Sequence, residues 1–122
     1  MVTATDVLNA KILVVDDQEA NVLLLKRALD GAGYVSVAST MNPHEVCELH
    51  RINRYDLIIL DLQMPGMDGI EAVCEIRKFS NVPIVFVSGN SDPKTFERAK
   101  ETEIKAFLTK PVSLEMLKEI LD

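Results

Sequence analysis

Five side chains able to do chemistry fall where apolar runs end. Asp16 and Asp17 follow Ile12-Leu13-Val14-Val15, Asp61 follows Leu57-Ile58-Ile59-Leu60, Ser88 follows Ile84-Val85-Phe86-Val87, and Lys110 follows Ala106-Phe107-Leu108-Thr109. Each alone has an ordinary reading: a strand-end Asp caps a helix or makes a turn, a Ser turns the chain, a Lys is solvated. Their convergence on one edge is a different matter. Carboxylates crowded to about 4 Å repel by roughly 4 kcal/mol per pair at an effective dielectric of about 20, and a proton or a cation must relieve this. An all-oxygen donor set suits Mg²⁺, which keeps several waters and favours carboxylate and phosphate oxygens; imidazole or thiolate donors would have pointed to zinc. A carboxylate beside Mg²⁺, an ammonium and a hydroxyl is equipped to take a phosphoryl group while its charge is neutralised.

These residues act together only if the elements carrying them end together. Leu57–Leu60 is a continuous apolar run with two β-branched residues, the pattern of a strand buried on both faces. A Pro65-Gly66 turn and a helical pattern over 69–79 follow, with Asp68 and Glu71 placed as a capping box. Lys11–Val15 and Val82–Ser88 read as the other long strands, and Val35–Ala38 and Ala106–Thr109 as short mixed ones. Between them, Glu19–Ala32 is an amphipathic helix with apolar residues at 20, 23, 24 and 28, stopped by Gly31 and Gly33. Asn42-Pro43-His44-Glu45 opens a helix to about Ile52, Asp92-Pro93 opens one to about Thr102, and Ser113 caps a last one, stapled by Val112 and Leu117. Five strands alternating with five helices predict an α/β, doubly wound parallel sheet. The long apolar strands belong in its centre and the short ones at its edges. That gives the order 2-1-3-4-5, with the switch point between the first and third strands, where ligands bind in such sheets.

The 122 residues suit one domain, with 1–9 a flexible lead-in, and 48% apolar content suffices for a core built mainly of Leu, Ile and Val. A formal net charge of −6 argues against direct nucleic-acid binding by this domain. No apolar run reaches the ~20 residues of a membrane span, and residues 1–10 lack the features of a signal peptide. Cys47 and Cys74 form no CxxC pair and read as reduced, half-buried packing residues of a cytoplasmic protein. His44 and His50 read as solvated helix residues.

Val14-Val15-Asp16-Asp17, the stretch Leu60-Asp61-Leu62-Gln63-Met64-Pro65-Gly66-Met67-Asp68-Gly69, Val87-Ser88 and Phe107-Leu108-Thr109-Lys110-Pro111 resemble the response-regulator receiver domain of two-component signalling, over residues 10–122. All four motifs occur in order on matching elements. The resemblance implies a flavodoxin-like fold and a phosphorylation-activated switch. It implies that Asp61 is the phosphoacceptor, that Asp17, Asp61 and the Gln63 backbone carbonyl bind Mg²⁺ with Asp16 helping through water, that Ser88 bonds the phosphoryl oxygen and that Lys110 pairs with it. It further implies a cis Lys110–Pro111 peptide, Phe107 as the rotating aromatic residue, and a switching surface of the fourth helix, fifth strand and fifth helix that binds a partner or a second copy. Gly89 and the stretch Glu103-Ile104-Lys105-Ala106 depart from the family pattern without touching a chemical residue.

The phosphoryl donor implied is a sensor histidine kinase or a histidine phosphotransfer protein, the domain catalysing its own phosphorylation and dephosphorylation without being a conventional turnover enzyme. The alternative weighed is a small metal-dependent phosphatase with an Asp nucleophile. Such enzymes carry Asp-x-Asp where this chain has Asp61-Leu62-Gln63. A flavin-binding carrier of the same topology needs a hydroxyl- and glycine-rich phosphate loop where Asp16-Asp17-Gln18-Glu19 stands. A pseudo-receiver is disfavoured by the full acceptor set. A last helix reaching only to Asp122 suggests a piece of a longer chain.

Overall fold

The structure is a computed structural model that describes residues 9–61, 63–64, 67–89, 93–101, 104–109 and 115–116, with backbone alone at 43, 63–64, 67–68 and 95–96. Five parallel strands form one sheet: β1 (Lys11–Val15), β2 (Ser36–Thr40), β3 (Leu57–Asp61), β4 (Ile84–Ser88) and β5 (Ala106–Thr109), in the order β2-β1-β3-β4-β5. This is the doubly wound, flavodoxin-like arrangement expected from the sequence, with its switch point between β1 and β3. The helices are α1 (Glu19–Gly31), α2 (Val46–Asn53), α3 (Gly69–Arg77) and α4 (Pro93–Lys100). Of the fifth helix expected from Ser113, only Glu115 and Met116 are described, and both are helical. Between β3 and α3, Gln63–Met64 pairs antiparallel with Met67–Asp68.

Burial follows position in the sheet. Every residue of β3 and β4 is buried, as is β1 beyond Lys11, whereas the edge strands β2 and β5 are mostly half-exposed. Alternate strand residues feed two apolar layers. Leu13, Val15, Ile58, Leu60, Ile84 and Phe86 pack with α2, α3 and Ala99 of α4. Ile12, Val14, Leu57, Ile59, Val85 and Val87 pack with Leu25 and Leu29 of α1. Each such side chain contributes about 1.5–3 kcal/mol when fully buried.

Several local expectations are corrected. The apolar stripe of α1 is Val22, Leu25 and Leu29; Leu23 and Leu24 are about half exposed, at 46% and 57%. Val22-Leu23-Leu24-Leu25 wraps a full turn, so the run carries no preferred face until the sheet selects one. Gly31 lies within the helix, and the stop comes from Gly33, at φ 98°. There the Gly33 N–H donates to Asp30 O at 3.0 Å and the Tyr34 N–H to Leu29 O at 3.1 Å, a Schellman closure sealed by buried Leu29 and Tyr34. β2 runs from 36 to 40, because pairing with all five residues of β1 draws Ser39 and Thr40 into the ladder. The start of α2 is a 3₁₀ turn over Pro43–Glu45. Asn42 Oδ1 accepts the His44 N–H, but the Glu45 carboxylate accepts from the Thr40 hydroxyl at 3.0 Å and makes no capping box. α3 ends at Arg77 and α4 at Lys100, each about two residues early. Asp68's side chain, Ser113, Val112 and Leu117 lie outside what is described.

Candidate functional site

Register fixes where the acids meet. Val15 stands opposite Leu60 and Asp61 opposite Val87. The first residue past β1, Asp16, is therefore level with Asp61, and Ser88 follows one step beyond on the neighbouring strand. Oxygens from Asp16, Asp17 and Asp61 all lie within 4.8 Å of one another. Asp16 and Asp61 are buried, at 1% and 3% exposure, Ser88 is fully buried, and Asp17 is half-buried. The sheet thus brings together four of the five residues singled out from the sequence.

Backbone hydrogen bonds hold this edge. The Asp16 N–H donates to Thr40 O at 3.3 Å, and Asp16 Oδ1 accepts the Gln18 N–H at 3.0 Å, closing a tight turn between β1 and α1. The Thr40 hydroxyl accepts the Asn42 N–H at 3.0 Å while donating to Glu45. Thr40 was not singled out from the sequence, because β2 was expected to stop at Ala38; a hydroxyl ending a strand is the signal that could have found it.

Three close carboxylates, two of them buried, form a concentrated negative site that a divalent cation would neutralise. The donor set is carboxylate oxygen alone, which fits Mg²⁺. Gln63, whose carbonyl is expected to complete the set, lies two residues beyond Asp61, paired with Asp68. Lys110 and the Lys110–Pro111 peptide lie outside the described residues; Thr109, just before them, ends β5 opposite Ser88. Phe107 stands opposite Phe86 and is half-buried against the layer that contains it.

His50 is not solvated, contrary to the sequence reading. It is buried at 2% exposure, beside the residues leading into β3 and β4, at the end of the sheet away from the acids. Burial pushes its imidazole below the usual range, helped by the cations Arg54 and Arg77. Both cysteines are free thiols; Cys47 is half-buried against the core as expected, whereas Cys74 is exposed on the outer face of α3 and is not a packing residue. Burial, then Glu75, raises the Cys47 thiol above its ordinary value.

Fold and site define a class: a doubly wound α/β domain whose switch point carries a cluster of three carboxylates with a buried hydroxyl on the neighbouring strand. The chain belongs to the response regulator receiver domain family, which it matches over residues 12–122. It is 36% identical over 103 residues to the transcriptional regulatory protein YvrH of Bacillus subtilis, covering 84% of this chain and 44% of that protein. It is 33% identical over 107 residues to the sensory/regulatory protein RpfC of Xanthomonas campestris, covering 84% of this chain and 15% of that one. The chain thus spans less than half the length of either. Among solved structures, chemotaxis protein CheY4 of Vibrio cholerae superimposes with a TM-score of 0.85 at 29% identity, covering 93% of this chain and 96% of that one. The protein is accordingly a phosphorylation-activated receiver of two-component signalling, and the free-standing phosphatase reading is set aside. Among the described residues no helix is long and apolar enough to cross a membrane.

Proposed function

We propose that Asp61 is the phosphoacceptor of this receiver, which spans residues 10–122. The observation that carries the reading is a buried Asp61 at the end of a central strand, with carboxylate oxygens of Asp16 and Asp17 within 4.8 Å. Asp17, Asp61 and the Gln63 carbonyl would hold Mg²⁺, with Asp16 helping through water. When bound, the cation neutralises charge on the carboxylates and on the incoming phosphoryl oxygens. An Asp61 oxygen forms the new O–P bond as the N–P bond of the donor's phosphohistidine breaks. The leaving imidazole takes the electron pair and then a proton. Ser88 donates a hydrogen bond to one phosphoryl oxygen and the Lys110 ammonium pairs with another.

The bond from Ser88 draws the segment from Gly89 toward the site. Phe107 responds by moving further into the layer that holds Phe86, which alters the surface of α4, β5 and the last helix. That surface serves a partner or a second copy of the domain. The receiver works in the cytoplasm, and its donor is a sensor histidine kinase or a histidine phosphotransfer protein. The test is intact mass after incubation with acetyl phosphate, with and without Mg²⁺. Wild type should gain one phosphoryl group only with the metal, and Asp61→Asn should gain none. Equal uptake by both proteins overturns the assignment.

A further inference from the structure

The ring of His50 makes two directional hydrogen bonds that together fix its protonation. The Tyr55 backbone N–H donates to Nδ1 at 3.1 Å, so Nδ1 carries a lone pair and the proton sits on Nε2. Nε2 in turn donates to Ser80 Oγ at 2.8 Å, and the same oxygen accepts the Val82 N–H at 3.1 Å. Ser80 is therefore an acceptor held by two donors, and the pair is not a nucleophile with its base, since the imidazole lone pair faces the backbone. One ring thus joins α2, the residue entering β3, the turn after α3 and the residue leading into β4.

We propose that His50 is a proton-sensitive latch: neutral, it fastens α2 to the entries of β3 and β4, and protonated, it lets them go. A proton on Nδ1 would set two N–H donors against each other across 3.1 Å, and the ring has no water to turn to at 2% exposure. Its flanks are aromatic, with ring centroids of Tyr55 at 6.2 Å and Phe79 at 5.8 Å. The charged groups around it discourage a second positive charge. From α2 come Arg51, over the Phe79 ring and paired with Glu48, and Arg54 just past the helix end, also over Phe79. From α3 comes Arg77, whose guanidinium donates to the carbonyls of Ser80 and Val82, while Lys78 is paired with Glu75 on the surface. Beside Tyr55, Asp56 is engaged by the Lys11 N–H of β1 at 2.8 Å. Burial, then Arg54 and Arg77, favour the neutral ring and push its titration below the usual range.

The sign follows. A folded-state value below that of the unfolded chain, about 6.5, gives stability that is fully present above 6.5 and lost as pH falls toward the folded value. The experiment is denaturant unfolding of wild type and His50→Asn from pH 7.5 to 5. The asparagine can offer an acceptor to the Tyr55 N–H and takes no proton. The folded-to-unfolded ratio of wild type should fall relative to the variant by up to about tenfold per pH unit within that window. Parallel profiles overturn the latch. If the variant does not fold, the wild-type ring decides by nitrogen NMR. Expected are the Nε2–H tautomer at neutral pH, a midpoint below about 6.5, and Tyr55 and Val82 amide signals moving with that midpoint. An Nδ1–H tautomer, an unshifted midpoint or a stationary Tyr55 amide overturns it.

Discussion

Asp61 and Ser88 end neighbouring parallel strands one register step apart, and both are buried, at 3% and 0% exposure. A hydroxyl so placed is already desolvated at the sheet edge that carries the proposed acceptor. In a site that excludes water, a hydrogen bond from such a donor to a phosphoryl oxygen contributes more than it would in solvent.

Ser88→Ala should leave Asp61 phosphorylatable but slow uptake from acetyl phosphate by roughly 10²-fold, the effect of losing one preorganised donor. Time-resolved intact mass measures the rate. A wild-type rate in the variant would remove Ser88 from the site's chemistry.

Mg²⁺ should raise the melting temperature, because it binds only where folding has gathered the three carboxylates. Asp17→Ala should lose most of that rise. Without metal, Asp17→Asn should itself stabilise the fold by removing one partner of the repulsion. Thermal unfolding with Mg²⁺ and with chelator compares the three proteins, and an undiminished Mg²⁺ effect in Asp17→Ala would place the metal elsewhere.

A beryllium-fluoride mimic of the phosphoryl group should change amide exchange at Ser88–Gly89 and around Phe107. Phe107→Leu should keep the change near Ser88 and lose it along β5. If β5 and α4 do not respond in wild type while the mimic is demonstrably bound, the coupling through Phe107 fails.

Two glycines at the end of α1 should answer oppositely to alanine. A Cβ at Gly31 would meet nothing within 4 Å, so Gly31→Ala should stabilise by about 0.5–1 kcal/mol. Gly33 sits at φ 98°, so Gly33→Ala should destabilise by about 1–2 kcal/mol. Urea denaturation reads both signs.

Alkylation at pH 8 should reach Cys74 well before Cys47. Cys74 is exposed, whereas the Cys47 thiol is raised by burial and by Glu75 and donates to the Ala72 carbonyl at 3.8 Å. Mass-mapped labelling gives the order, and faster labelling of Cys47 would contradict it.

The sequence by itself determined the family and the topology. The run Leu57–Leu60 declares a buried strand ending at Asp61, and the carboxylates and hydroxyl that close the other apolar runs, taken together, mark the edge where a site is expected. The contrast between apolar β1, β3, β4 and mixed β2, β5 was enough to order the sheet. Tertiary structure decided what local pattern leaves degenerate. Four consecutive apolar residues, Val22 to Leu25, cover a whole helical turn, so only the sheet beneath α1 could choose Val22 and Leu25 over Leu23 and Leu24. Ser39 and Thr40 became strand because β1 offered a full ladder. His50 read as solvated since its partner Ser80 lies thirty residues away in the chain. A polar side chain is buried when distant donors and acceptors satisfy it, and that satisfaction exists only once the chain has folded.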